Sequence, residues 1–427
     1  MPNLTTLVLQ IAIIIVVARA MGVVFRWIGQ PQVVGEMVAG ILLGPSLLGW
    51  AAPAISAELF PPSSLGYLNA LSQVGLILFM FLVGLDLNPS ELKKGKHAAI
   101  LTSHVSIVVP FFLATLLALY LYPRLSDESV TFAGFALFMG AAMSITAFPV
   151  LARILTERNI QRTSLGTVAL ACAAVDDVTG WCVLAYIVIV IRAHHGEHPL
   201  WITLIGSIAF ALVMIYVIRR LLQRFELTFR KQHRLSENLI ALIVLLALLS
   251  AFITEWLGIH VLFGSFLMGA VMPKEPAFVR YLTSKLESIA VVVLLPIFFA
   301  LTGLRTSISL VTGPAMWFCC ALIIIVAIGG KLFGSMIAAR IAGMPWREGA
   351  ALGVLMNTRG LMELVILNIG FEIKVISPAV FSMMVLMALV TTLMTSPLLQ
   401  WIYPEGSREE VSAGPRLVPE LAGFLAD

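Results

Sequence analysis

The 427-residue chain is 60% hydrophobic and 12% charged. That is about half the charged share of a soluble domain, so it reads as a polytopic membrane protein. Its formal net charge of +4 is too small to point to a nucleic-acid partner.

Apolar runs of about 17–25 residues can cross a bilayer as helices. Thirteen are predicted in chain order: 4–26, 33–50, 65–87, 97–121, 130–155, 164–191, 200–222, 237–255, 258–273, 286–303, 314–341, 348–370 and 376–402. Met1–Thr6 lacks a basic start and the first run is long, so no cleavable signal peptide is expected. Connections after odd-numbered runs are basic: Arg26; Lys93, Lys94 and Lys96; Arg158 and Arg162 beside Arg153; six residues from Arg219 to Arg234; Lys274, Arg280 and Lys285; Arg340 and Arg347. Those after even-numbered runs hold only Arg124, Arg192, Arg305 and Lys374. Basic residues stay on the cytoplasmic side, which places the N-terminus outside and the C-terminus inside a plasma (inner) membrane.

The second run carries Gly35-Glu-Met-Val-Ala-Gly40 followed by Pro45, and the ninth carries Gly264-Ser-Phe-Leu-Met-Gly269 followed by Pro273. The third and tenth pair likewise, through Phe79-Met-Phe-Leu-Val-Gly-Leu85 and Ile297-Phe-Phe-Ala-Leu-Thr-Gly-Leu304. An offset of seven runs is odd, so the two copies lie inverted in the membrane, with the seventh run as a linker.

The fifth run is interrupted at Met143-Ser-Ile-Thr-Ala-Phe-Pro149, where Pro149 removes a backbone donor and disfavours helix at Phe148. The twelfth, its counterpart in the repeat, is interrupted at Gly353-Val-Leu-Met-Asn-Thr-Arg-Gly360. Non-helical backbone at membrane depth survives only where it is buried or lines a cavity. Paired interruptions therefore mark a transporter's binding site. Ser144 and Thr146 lie in the first break; Asn357 and Arg359 lie in the second, with Glu363 one turn beyond.

Between the breaks, the sixth run holds adjacent aspartates, Asp176 and Asp177. An ionised carboxylate at bilayer depth costs at least about 2.5–3.5 kcal/mol. Two of them need a partner, a proton or a cation, which points to ion transport. The eleventh run holds Lys331, about ten residues from its inner end and preceded by Gly329-Gly330. Snorkelling covers only part of that distance, so a buried ion pair with an aspartate is the economical expectation. An intramembrane aspartyl protease needs carboxylates on facing helices. Neighbours on one helix, about 100° apart, do not form that dyad.

Other polar residues read as structural. Glu36 is a polar contact among helices, Asp86 a cap near Lys93, and His194, His195 and His198 a solvated loop. The cysteines Cys172, Cys182, Cys319 and Cys320 lie in apolar runs without metal-ligand spacing and read as packing residues.

The chain resembles the monovalent cation/proton antiporters, in the branch of bacterial sodium/proton exchangers, glutathione-gated potassium efflux systems and plant cation/proton exchangers. The resemblance rests on six motifs in order: Gln32-Val-Val-Gly-Glu-Met-Val-Ala-Gly-Ile-Leu-Leu-Gly-Pro45, Phe81-Leu-Val-Gly-Leu-Asp86, Ser144-Ile-Thr-Ala-Phe-Pro-Val-Leu-Ala-Arg-Ile-Leu155, Asp176-Asp177, Lys331 and Met356-Asn-Thr-Arg-Gly-Leu-Met-Glu-Leu-Val-Ile-Leu-Asn368. It implies an all-α fold of two inverted six-helix repeats with two broken, crossing helices. It implies a homodimer in which a core bundle (97–191 and 314–402) moves against a scaffold (4–87 and 237–303) joined by 200–222. It implies that Asp177 binds a cation or a proton, with Asp176, Thr146 and Ser144 as further ion-binding residues. Lys331 couples to Asp176, and Pro149, Asn357, Arg359 and Glu363 support the breaks.

The expected function is exchange of a monovalent cation, Na+ in preference to K+, for protons, electrogenically and with no catalytic residue. No cofactor, resident metal or nucleic acid is expected. The partners are the transported ions and the bilayer. A K+/H+ antiporter is the main alternative; a cation channel and a sodium-coupled organic-acid symporter rank lower. The plant exchangers usually carry Asn-Asp at the aspartate pair. Asp-Asp is the pattern of electrogenic sodium exchangers, while the Ser144 and Asn357 segments look plant-like. The tail 403–427 is too short for a nucleotide-binding regulatory domain, so gating by one is not expected.

Overall fold

A computed structural model describes residues 4–86, 97–127, 130–158, 160–161, 163–194, 200–232 and 235–404. The lysines Lys93, Lys94 and Lys96, the histidines His195, His198 and His233, and residues 405–427 lie outside the described set. The described secondary structure is helical throughout. In chain order the helices are α1 (Leu4–Trp27), α2 (Gln32–Leu43), α3 (Pro62–Asp86), α4 (His97–Leu125), α5 (Phe132–Ser144), α6 (Phe148–Glu157), α7 (Ser164–His194), α8 (Leu200–Val213) and α9 (Arg219–Gln232). They continue as α10 (Glu237–Trp256), α11 (Val261–Val271), α12 (Pro276–Ile289), α13 (Leu295–Arg305), α14 (Gly313–Ile341), α15 (Trp346–Met356), α16 (Leu361–Glu372) and α17 (Pro378–Ile402). Short helical turns at Leu48–Ala51, Pro53–Leu59 and Ile308–Leu310 link longer elements, and π-helical turns at Met214–Ile218 and Ala290–Leu294 join α8 to α9 and α12 to α13.

Each of the thirteen predicted runs coincides with helix, but not each is one long rod. Among the described residues, ten helical stretches are long and apolar enough to cross a membrane, and the pair α15–α16, bent by 44°, makes an eleventh. The fifth run is split into α5 and α6, and the ninth is only the 11-residue α11. The tenth begins earlier than predicted, with the amphipathic α12 leading into α13.

Packing at two helix crossings depends on glycine. A β-carbon on Gly40 of α2 would strike the Phe299 carbonyl of α13, and one on Gly303 would strike the backbone of Gly40. A β-carbon on Gly269 of α11 would strike the Phe81 carbonyl of α3, and one on Gly84 would strike the Phe266 carbonyl. Only a residue without a side chain allows backbones to approach so closely. The residues involved are those that repeat in the sequence, so α2 against α13 matches α11 against α3.

Elsewhere α4 packs on α5, α7 and α14, while α14 also packs on α15 and α17. This second set of helices surrounds the aspartates. The Lys274 ammonium, in the link between α11 and α12, donates to the carbonyls of Gly84, Leu85 and Gly269 at 2.8, 2.8 and 3.0 Å. It thereby caps the C-terminal ends of α3 and α11. Burial pushes its pKa down to about 7, although the Asp86 carboxylate opposes this. Lys274 is thus a described cationic neighbour of Asp86.

Candidate ion-binding site

The chain leaves helical geometry at Ser144 and resumes it at Phe148, with Ile145 and Ala147 extended. Pro149 sits in the first turn of α6, where its missing N–H is not needed. The second break runs from Asn357 to Gly360, between α15 and α16. The two breaks cross. Ala147 N–H donates to the Thr358 carbonyl at 3.0 Å. Thr146 Oγ1 lies 2.9 Å from the Met356 carbonyl and 2.9 Å from Asp176 Oδ2, so its one proton is shared between them.

Asp176 and Lys331 are both fully buried. Lys331 Nζ donates to Asp176 Oδ2 at 2.7 Å. Two hydroxyls from α4 complete the environment. Ser103 Oγ lies 3.1 Å from Asp176 Oδ1, and Ser106 Oγ lies 3.0 Å from each carboxylate oxygen. The Asp176 carboxylate thus faces four donors, the arrangement that a buried ionised acid needs.

Asp177 is held differently. It too is buried, and the Phe148 N–H at the start of α6 donates to its carboxylate. That places the acid at a helix N-terminus, where partial positive charge gathers. Among the described residues, its Oδ1 accepts no hydrogen bond. Thr358 Oγ1 and Asn357 Oδ1, in the second break, are likewise buried and unpartnered among the described residues. Unpaired buried oxygen is costly, and a hard monovalent cation or a proton offsets that cost.

The C-terminal end of α5 is capped by Arg359. Its Nη1 donates to the carbonyls of Ala142 at 2.7 Å and Ile145 at 3.3 Å, and its Nη2 donates to the Met143 carbonyl. Nη1 also reaches Glu363 Oε2 at 2.8 Å. A fully buried guanidinium therefore neutralises orphaned carbonyls and a helix dipole, while Glu363 balances its charge. The Arg359 backbone is pinned by Thr392 Oγ1 of α17, which accepts from the Arg359 N–H at 3.1 Å and lies 2.7 Å from its carbonyl.

The structure brings Asp176, Thr146 and Lys331 into one contact set, with Asp177 held separately at the start of α6, while Ser144 and the Asn357 amide nitrogen turn elsewhere. Ser144 Oγ donates to the Ala141 carbonyl on its own helix at 2.9 Å. Asn357 Nδ2 points to Met394 Sδ at 3.7 Å. Thr146 serves Asp176, where sequence reasoning joined it to Asp177. Ser103 and Ser106 were missed; the signal was the run Thr102-Ser-His-Val-Ser106, which puts hydroxyls three residues apart on one face of an apolar helix. Glu36 contacts Arg19 at 3.4 Å and Gln32 at 2.9 Å, away from the aspartates.

Residues 11–402 match the family described as "Sodium/hydrogen exchanger, transmembrane". The chain is 45% identical over 405 residues to the Na(+)/H(+) antiporter NhaS4 of Synechocystis, covering 94% of this chain and 98% of that protein. It is 38% identical to Cation/H(+) antiporter 17 of Arabidopsis thaliana over 94% of this chain, and 33% identical to K(+)/H(+) antiporter 1 of Saccharomyces cerevisiae over 96%. It spans 49% and 47% of those two longer proteins. In fold it is similar to the sodium proton antiporter MjNhaP1 of Methanocaldococcus jannaschii, with a TM-score of 0.67, 13% identity, and coverage of 96% of this chain and 100% of that one.

Proposed function

Because the chain belongs to the sodium/hydrogen exchanger family, a family of transporters, we propose that it exchanges a monovalent cation, Na+ in preference to K+, for protons across a membrane. The observation that carries this reading is the contrast between the two aspartates. Asp176 faces four donors, whereas Asp177 keeps a buried oxygen without a partner among the described residues, as do Thr358 and Asn357 of the crossing break. Asp177 takes either a cation or a proton, so the two compete, and competition for one site makes an exchanger.

The second proton comes from Lys331. Lys331, buried against Asp176 at 2.7 Å, hands over its proton as the cation arrives. Two protons then leave for one cation, and the cycle is electrogenic.

In this reading all thirteen helical segments cross an inner (plasma) membrane, N-terminus outside, as two inverted repeats. The matched glycine crossings support the repeat. One bundle, α4–α7 and α14–α17, carries the aspartates as a moving core. The other, α1–α3 and α10–α13, is the scaffold, and α8–α9 link them. Helices pack closely within each bundle and sparsely between them, which supports this division. The working unit is a homodimer.

The sodium preference follows the relative matched along nearly its whole length, named a Na(+)/H(+) antiporter. A K+/H+ exchanger is the second reading, favoured by the relative named K(+)/H(+) antiporter 1. Proteoliposomes carrying an imposed pH gradient, challenged in turn with sodium, potassium, lithium and rubidium, test both. Sodium-dependent proton movement saturating at lower concentration than with potassium is the expected result. Movement of cations without protons would refute the exchanger.

A further inference from the structure

We infer that Arg305 and Glu372 form a gate that locks the scaffold to the core at the end of the molecule away from Lys274. The inference rests on the exchanger reading and adds residues that the ion site does not contain.

Arg305 ends α13 and Glu372 ends α16, so one comes from each bundle. Arg305 Nη1 donates to Glu372 Oε1 at 3.1 Å and to Asn368 Oδ1 at 2.7 Å, both on α16. Its Nη2 donates to Asn69 Oδ1 of α3 at 3.3 Å. From α3, Gln73 Nε2 also reaches Glu372 Oε1, at 3.2 Å. His260 Nε2, just before α11, lies 3.9 Å from Glu372 Oε2. One turn deeper, Asn368 Nδ2 donates to Thr302 Oγ1 of α13 at 2.9 Å. Three scaffold elements thus converge on two side chains of a single core helix.

This helix starts at the second break, with Glu363 and Arg359 at its other end. A cluster at the C-terminus of α16 therefore holds the element that crosses the ion site. While Arg305 grips Glu372 and Asn368, α16 cannot slide past α13, and the path to Asp177 from this end is shut. The contacts are few, polar and partly exposed, with side chains 21% and 29% accessible. Such a contact is weak enough to break and re-form in each cycle. A fully buried apolar seam would not be.

The test reads access directly. Leu364, buried one turn below Asn368 and accepting from its amide at 2.8 Å, is replaced by cysteine in a chain whose four native cysteines are serine. A membrane-impermeant maleimide is applied to vesicles from each side in turn. Glu372→Gln, and independently Arg305→Gln, should each speed labelling about fivefold, from the Arg305 face only. The swap Arg305→Glu with Glu372→Arg should bring the rate back toward the parent's. Unchanged labelling in both folded single variants would overturn the gate, as would faster labelling from both faces alike. Cation-driven proton movement is measured on the unmodified protein in parallel. Its absence would count against the exchanger reading, while the labelling rates still decide the gate.

Discussion

Asp176 and Asp177 are covalent neighbours with opposite surroundings. Their side chains leave the helix about 100° apart, so one meets α4 and α14 while the other meets the start of α6. Removing the acid from the second should remove transport and little else. Asp177→Asn is expected to abolish cation-dependent proton movement while the protein still elutes as the folded species and melts within a few degrees of its parent. Residual exchange at a substantial fraction of the parent rate would remove Asp177 from its role. The Asp176–Lys331 pair makes a different prediction. Losing one partner strands a buried charge, at a cost of about 3–5 kcal/mol, whereas losing both is much milder. Asp176→Asn should therefore lower thermal stability more than Asp176→Asn combined with Lys331→Gln. The double variant should exchange without charge movement. Solid-supported-membrane current after a sodium jump, beside a pH-dye assay on the same liposomes, reads this. In the parent, dye-reported exchange without current would sink the electrogenic cycle.

Helix ends leave carbonyls or amides to satisfy, and at several of them here a specific side chain does so. Arg359 closes α5, Asp177 faces the opening of α6, and Lys274 closes α3 and α11 together. Lys274 gives the pH dependence its sign. Its folded pKa lies near 7, below the ordinary lysine value of 10.5. Between those two values the unfolded chain binds more protons than the folded one, so stability contributed by this residue rises with pH across that window. The cost of its charge is complete below about pH 7 and fades as pH climbs. The stability difference between the parent and Lys274→Met should accordingly move in the parent's favour from pH 7 to pH 10. Thermal unfolding in detergent at three pH values measures it. A flat difference would mean that Lys274 keeps its charge throughout.

At the scale of the whole molecule, the glycine crossings join α2 to α13 and α11 to α3, while Trp181 of α7 packs on Phe263 and Phe266 of α11. The basic loops carry the orientation proposed above. Ser284 on α12 lies among them, and Glu58 lies in the short helical turns before α3. Single cysteines at these two positions should react with an impermeant maleimide from opposite faces of the membrane. Reaction from the same face would remove the thirteen-crossing reading.

Much of this was legible along the chain, because a bilayer punishes departures from a simple rule. Long apolar runs must be helix, charge inside them must have a purpose, and breaks must be buried. The family, the helical class, the two interruptions and the Lys331–aspartate pair were all readable from residue type and spacing. Residue type and spacing left open which aspartate Lys331 meets, since neighbours on one helix differ only in the direction they face; the family resemblance named Asp176, and that is where Lys331 Nζ lies, at 2.7 Å. The transfer of Thr146 to Asp176 was not readable, nor was the entry of Ser103 and Ser106, because these depend on how α4, α5 and α14 rotate against α7. The length of each helix also escaped the sequence. Apolar composition does not say where a run divides, so the fifth became two short helices and the ninth an eleven-residue one. Periodicity and hydropathy are properties of one segment. Partners belong to pairs of segments, and only packing in three dimensions chooses them.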